Sequence, residues 1–139
     1  MRAEQVVYTL LAADAGVAAI VGTRIYPGAL PQRTILPALV YSHVDTVDLE
    51  PIDAQAGGLI ALGRIQVNAL VNDDPSGVSG YAQLKALGEA VRAALSFASG
   101  SIAGVTVVSV LRDQALPDQR DDDVGVLFQS TDFIVTHYV

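Results

Sequence analysis

The feature that most constrains the fold is an alternating stretch at residues 62–71. Apolar side chains occupy every second position, at Ile65, Val67, Ala69 and Val71. Polar side chains lie between and beside them, at Arg64, Gln66, Asn68 and Asn72. A period of two residues is that of a β-strand, and this polarity predicts that one face is packed on a core while the other is solvated.

Three further stretches predict strands that accompany this one. Residues 38–47 alternate so that Leu39, Tyr41 and His43 share one face and Val40, Ser42 and Val44 share the other. The runs 105–111 and 126–139 are rich in β-branched residues, which strands favour. The sequence therefore predicts four strands.

Helical periodicity appears in two places. Residues 3–13 carry a single apolar stripe, and Asp14 can cap a short second turn that Gly22 ends. Asp74 and Pro75 are a good helix opening, and the apolar spacing that follows predicts a helix to about Phe97. A helix of this length spans roughly 30 Å, enough to cross a four-stranded sheet.

These elements predict one α+β domain over residues 1–139. We expect a four-stranded, mainly antiparallel sheet packed against a long central helix, with an additional N-terminal helix. A chain of 139 residues is long enough for one hydrophobic core.

Two polar connections are the candidate interaction segments. The first joins the first two strands and contains Asp48, Glu50 and Asp53, and it is far longer than a hairpin requires. The second follows Pro117 and contains Asp118, Arg120, Asp121, Asp122 and Asp123. We expect these residues to lie in loops at an interface or a lumen, with 118–123 mobile and solvated.

Charge and composition narrow the function further. The net charge of -7 disfavours specific nucleic-acid binding, which needs clustered Lys and Arg. Only 17% of the residues are charged, against about 25% in ordinary soluble domains, and this deficit favours an oligomer whose apolar surface is covered by partners. No apolar run approaches the roughly 20 residues of a membrane span, so we expect no membrane partner.

The sequence offers little chemistry. His43 and His137 are the only histidines, and both are expected to be solvated strand residues. We expect no metal, no cofactor and no catalytic residue, because neither a phosphate-binding loop nor a nucleophile elbow is present. A Ser-His-Asp site assembled from distant residues is left open by the sequence.

Six short segments, in order along nearly the whole chain, resemble the tail-completion or tail-terminator proteins of tailed bacteriophages and related gene transfer agents. They are the first helix with Asp14 and Gly22, Arg24-Ile25-Tyr26-Pro27, Pro37 with Val40-Tyr41, Arg64-Ile65-Gln66-Val67, the helical segment 90–95, and Asp132-Phe133.

The resemblance implies a structural virion protein without enzymatic activity. Such a protein forms a ring, commonly a hexamer, that caps the head-proximal end of the tail tube and joins it to the head–tail connector protein. Its partners would be its own copies, the tail tube protein and the connector, with DNA only passing through the lumen. It would assemble in the host bacterial cytoplasm and reside in the virion tail. The alternative is a small non-viral ligand-binding or adaptor domain that acts as a dimer.

Overall fold

The computed structural model describes residues 2–49, 59–73, 78–121 and 123–139. Three helices are present: α1 (Arg2–Ala13), α2 (Ala15–Val21) and α3 (Val78–Leu95). Seven strands accompany them, namely β1 (Ile25–Pro27), β2 (Ala38–Leu49), β3 (Ile60–Asn72), β4 (Gly100–Ile102), β5 (Val105–Ala115), β6 (Gln119–Asp121) and β7 (Val126–Tyr138).

The seven strands form one sheet in the order β1-β2-β3-β7-β5-β4, with β6 also paired to β7. The contacts from β2 through β3 and β7 to β5 are antiparallel, whereas β1 runs parallel to β2. The α+β class and the four long strands agree with the prediction, but the count of four is wrong. Strands β1, β4 and β6 have three residues each, too few to show a period, and they exist because a longer neighbour pairs with them.

All three helices pack on one face of this sheet, which we call the inner face. The main core cluster draws on α1, α2 and α3, and β3 contributes Ile65, Val67, Ala69 and Val71 to it, as predicted. Helix α1 contacts both β1 and β4, which stand at opposite ends of the strand order. The sheet therefore curls around the helices, and its opposite side is the outer face.

The helix boundaries correct two expectations. The stretch after Asp14 is a helix in its own right, because Asp14 Oδ2 accepts a hydrogen bond from the backbone N–H of Val17 at 2.9 Å and Gly22 ends the helix at φ 59°. Helix α3 ends at Leu95, before Phe97 takes a positive φ of 64°. The predicted opening at Asp74 and Pro75 lies outside the described residues.

None of the described helices is long and apolar enough to span a membrane alone; α1 and α2 together pass by length and composition but are bent by 81°.

Helix α1 lies very close to the sheet at one point. A Cβ atom built on Gly63 of β3 would lie 2.8 Å from the Cβ atom of Ala3, closer than side chains tolerate. Ala3 itself is buried. The first turn of α1 thus rests on backbone where any larger residue would push it away.

Candidate interaction surfaces

The outer face of the sheet carries the chain's most distinctive side chains. Every sheet residue of the main core cluster belongs to the inner face. Strand pairing sets alternate residues of β3 and β7 side by side on the outer face, with Gln66 beside Asp132 and Asn68 beside Ser130. These outer residues are only partly buried, and the helices lie on the other side.

A charged cluster occupies the middle of the outer face. Arg64 Nη1 lies 2.5 Å from Asp113 Oδ2 and 3.3 Å from Asp132 Oδ2, and its Nε lies 3.9 Å from Asp45 Oδ2. Gln66 Nε2 donates to Asp132 Oδ1 at 3.3 Å. The hydrogen bond to Asp113 raises the pKa of Arg64 above its usual value, and partial desolvation acts against it. One cation against three carboxylates leaves this cluster acidic.

An apolar cleft adjoins the charged cluster at one end of the outer face. Its volume is about 520 Å³. Its apolar lining comes from Leu30, Val40, Leu70, Val124, Val126 and Phe128. At its base the Ser130 hydroxyl donates to the amide oxygen of Asn68. The cleft is open and combines apolar walls with a polar base, a surface suited to holding an apolar side chain of a partner.

Exposed apolar residues mark the other end of the outer face. Val47 and Leu49 of β2 are 55% and 54% exposed, and Leu111 of β5 is 46% exposed. By strand pairing all three point to the outer side. Apolar residues thus flank the charged cluster on both sides.

The first acidic connection is shorter than predicted. Asp48 lies within β2, paired with Ala61 of β3, because the strand continues to Leu49. Glu50 and Asp53 lie outside the described residues. Asp48 is exposed at a sheet edge.

The second acidic segment has partners where none was expected. Lys85 Nζ of α3 lies 2.5 Å from Asp118 Oδ1, and Arg120 Nε lies 2.7 Å from Asp73 Oδ2. Residues 119–121 form β6 and pair with β7. The expectation of a mobile, unanchored loop is therefore wrong for these residues, since apolar anchors were not required once two ion pairs and a strand pairing were available.

Two residues of that segment keep exposed carboxylates. Asp121 and Asp123 are exposed, and the Asp121 side chain accepts a hydrogen bond from the backbone N–H of Asp123 at 3.1 Å. Asp122 lies outside the described residues. The hydrogen bond from Lys85 lowers the pKa of Asp118, and the same contact raises the pKa of Lys85.

The two histidines differ from each other. His43 is exposed, as predicted, and its Nε2 lies 2.6 Å from Thr46 Oγ1. His137 is only 4% exposed, so the prediction of a solvated residue is wrong. It lies on the inner face beside Ala61, next to the start of α1.

Both histidines line one cavity of about 450 Å³, together with Glu4 and Asp48. Among the described residues, no three His, Cys, Asp or Glu side chains are placed to hold a metal ion.

The segments that carried the family resemblance meet in pairs. Arg24 Nε donates to the Pro37 carbonyl at 2.8 Å, and Tyr26 pairs with Val40 across β1 and β2. Arg64 and Asp132 meet in the charged cluster. The cluster was missed from sequence, although a polar face on 62–71 and an aspartate inside the apolar last strand were the signal that two predicted strands carry charge on a shared face.

The geometry defines an α+β fold with a helix-covered face and an open, acidic face bounded by apolar surface. The chain matches the tail completion protein gp17 family over residues 5–131, and it belongs to that family. Its fold is similar to a chain in the virion of a native gene transfer agent particle, with a TM-score of 0.72 and 24% identity over 96% of this chain and 92% of the other. No curated protein matches it. The chain is thus a member of a family of tail completion proteins, and it shares its fold with the gene transfer agent chain.

Proposed function

We propose that this protein forms a ring, with six subunits, that caps the head-proximal end of the tail tube and joins the tube to the head–tail connector. The observation that carries the proposal is the family match over residues 5–131. Six copies of the 14.5 kDa chain would make a ring of about 87 kDa.

The open outer face supports an assembly role. It combines an apolar cleft, a charged cluster and exposed apolar residues, the mixture that characterises protein interfaces. Burying Val47, Leu49 and Leu111 against partners would remove apolar surface from water, which favours association. A low density of surface charge points the same way.

The acidic residues serve the passage of DNA and the docking of the connector. With a net charge of -7 per subunit, a ring repels the phosphate backbone, so DNA slides through without sticking. Asp121, Asp122 and Asp123 form the docking charge at a ring face, whereas Asp118 and Arg120 hold the segment in place through their ion pairs. Asp48, Glu50 and Asp53 contribute acidic surface to the contact between subunits.

Native mass spectrometry of the protein alone and with tail tube protein tests the ring. We expect a closed species near six subunits in at least one of the two samples. A strictly monomeric or dimeric protein in both samples would refute the ring, and a dimer would favour an adaptor.

Docking is tested by joining kinetics. Replacing Asp121, Asp122 and Asp123 with asparagine should slow the joining of heads to tails, and added salt should slow the wild type toward the same rate. Equal rates for the two proteins across the salt series would remove these carboxylates from the mechanism.

A further inference from the structure

Strand β2 has a free edge along most of its length. Strand β1 pairs only with Leu39, Val40 and Tyr41, so residues 42–49 have no described strand on the side away from β3. The Leu39 N–H donates to the Arg24 carbonyl and the Tyr41 carbonyl accepts from the Gly28 N–H, so the backbone groups of these two residues point outward.

The register of β3 extends this assignment along β2. Leu39 pairs with Ala69 of β3, and Asp48 pairs with Ala61 of β3. These two β3 residues are eight apart, and the register between β3 and β7 is unbroken over this stretch. Residues an even number apart in a regular strand present their N–H and C=O groups to the same side. The backbone groups of Asp48 therefore also point outward, and those of Leu49 point toward β3.

Strand β5 has a free edge at the opposite end of the sheet. The Val110 carbonyl accepts from the Phe97 N–H at 2.8 Å, which shows that Val110 presents its backbone outward. Residues 111–115 are all exposed, and no described strand lies beyond them. Arg112, two residues after Val110 and before the bulge, also presents its backbone outward.

The two edges fit each other in direction. Three successive antiparallel contacts separate β2 from β5, so the two strands run in opposite directions. Joining the β2 edge of one copy to the β5 edge of the next therefore continues the antiparallel sheet. Two different edges in contact give a head-to-tail association, which closes into a ring when the rotation allows it.

The edges also match in charge. Asp48 and Thr46 lie on the inner side of β2, and Arg112 lies on the inner side of β5, because their partners Ala61, Gly63 and Phe133 lie there. Neither Asp48 nor Arg112 has an ion pair among the described residues. In a monomer, two long exposed strand edges invite uncontrolled pairing with other chains. In a ring, the same edges and their opposite charges can join neighbouring subunits.

From these edges we propose that β2 of one subunit pairs with β5 of the next in the register that sets Asp48 opposite Arg112. This inference rests on the proposed ring and names the surface that closes it. The register places the Asp48–Arg112 ion pair on the inner side and sets Leu49 opposite Leu111 on the outer side, so exposed apolar residues cover each other. The sheet then continues around the whole ring through backbone hydrogen bonds.

Charge reversal tests the ion pair. Arg112→Glu and Asp48→Arg should each raise the protein concentration needed for half-assembly, with the tube protein present, by about tenfold. The double variant should return it to within about twofold of the wild type, because the pair is restored in reverse. Arg92→Glu, an equal charge change on the exposed side of α3, is the control and should leave assembly unchanged.

Cysteine cross-linking tests the register, since the chain contains no cysteine of its own. Leu49 and Leu111 form a pair without mutual hydrogen bonds in this register, in which the Cα atoms approach to about 4.5 Å, a separation that a disulfide can span. The Leu49→Cys, Leu111→Cys double variant should oxidise to a ladder of covalent oligomers that stops at the ring size. Each single variant should give no species above a dimer, and circular dichroism should show the fold intact in all three.

The outcomes separate this inference from the proposed function. Rings of wild-type size without a cross-linked ladder and without charge-reversal rescue overturn the edge pairing while the ring stands. No ring under any condition overturns both. If the Leu49→Cys variant cross-links to tube protein and not to other copies, the β2 edge contacts that partner, and pairing between copies is overturned.

Discussion

The inner and outer faces of β3 and β7 are built from alternate residues of the same two strands, yet they differ in almost every property. The inner face sets Ile65 against Phe133 under the helices, and both are fully buried. One residue along each strand, the outer face sets Gln66 against Asp132 within the charged cluster. The comparison assigns most of the folding free energy to the inner face and leaves the outer face free to specify contacts.

The largest effect that sharpens this comparison should come from a pair of identical truncations in β7. Phe133→Ala on the inner face should lower the free energy of unfolding by about 3–5 kcal/mol, because it leaves a cavity in the core. Phe128→Ala on the outer face should cost clearly less, since Phe128 is partly exposed in the cleft. Urea denaturation measures both. Equal losses would contradict the division between the faces.

The second effect concerns the contact of α1 with the inner face. Gly63→Ala should destabilise the protein by about 1–3 kcal/mol, because the new Cβ atom overlaps that of Ala3. The matched control is Gly63→Ala combined with Ala3→Gly, which removes the opposing atom and should recover part of the loss. A double variant no more stable than the single one would show that the close approach is not the cause.

A smaller effect should come from the outer face itself. Arg64→Met removes the only cation that faces Asp45, Asp113 and Asp132 within the cluster. We expect a modest fall in the urea midpoint at low salt, and added salt should raise the midpoint of the variant because it screens the remaining like charges. In Arg92→Met, the control on α3, salt should act as it does in the wild type. A variant indifferent to salt would contradict the electrostatic reading.

The smallest effect concerns the Lys85–Asp118 pair. Asp118 has a lowered pKa in the folded protein, so its contribution is present above its ordinary value of 3.8 and is lost as the pH falls through the folded pKa. Because both side chains are partly exposed, Asp118→Asn should cost no more than about 0.5 kcal/mol at pH 7. The difference from wild type should shrink as the pH falls below 3.8. A difference that persists there would point to a packing effect.

The sequence predicted the parts of the fold that depend on local period. The inner face of β3, the stripe of α1, the cap at Asp14 and the run of β7 all follow from residues within one element. Strand β1 was not predicted, because Ile25 and Tyr26 are held by backbone bonds to β2 that no local pattern encodes.

The candidate sites were harder to predict for the same reason. Asp113 and Asp132 lie 49 and 68 residues from Arg64 along the chain, and only the sheet register brings the three together. The composition of 118–123 shows that the segment is polar, and from this we predicted a segment without partners. A polar segment can equally be held by ion pairs. Lys85 and Asp73, which anchor that segment, come from other elements.

The double anchoring of residues 118–121 has a mechanical consequence. Asp118 forms an ion pair with Lys85 of α3, and Arg120 forms one with Asp73 at the end of β3. One short stretch is therefore held to both the helices and the sheet. A pull on this stretch is shared between helix and sheet. In the ring proposed above, strain applied to this segment passes into both layers of each subunit.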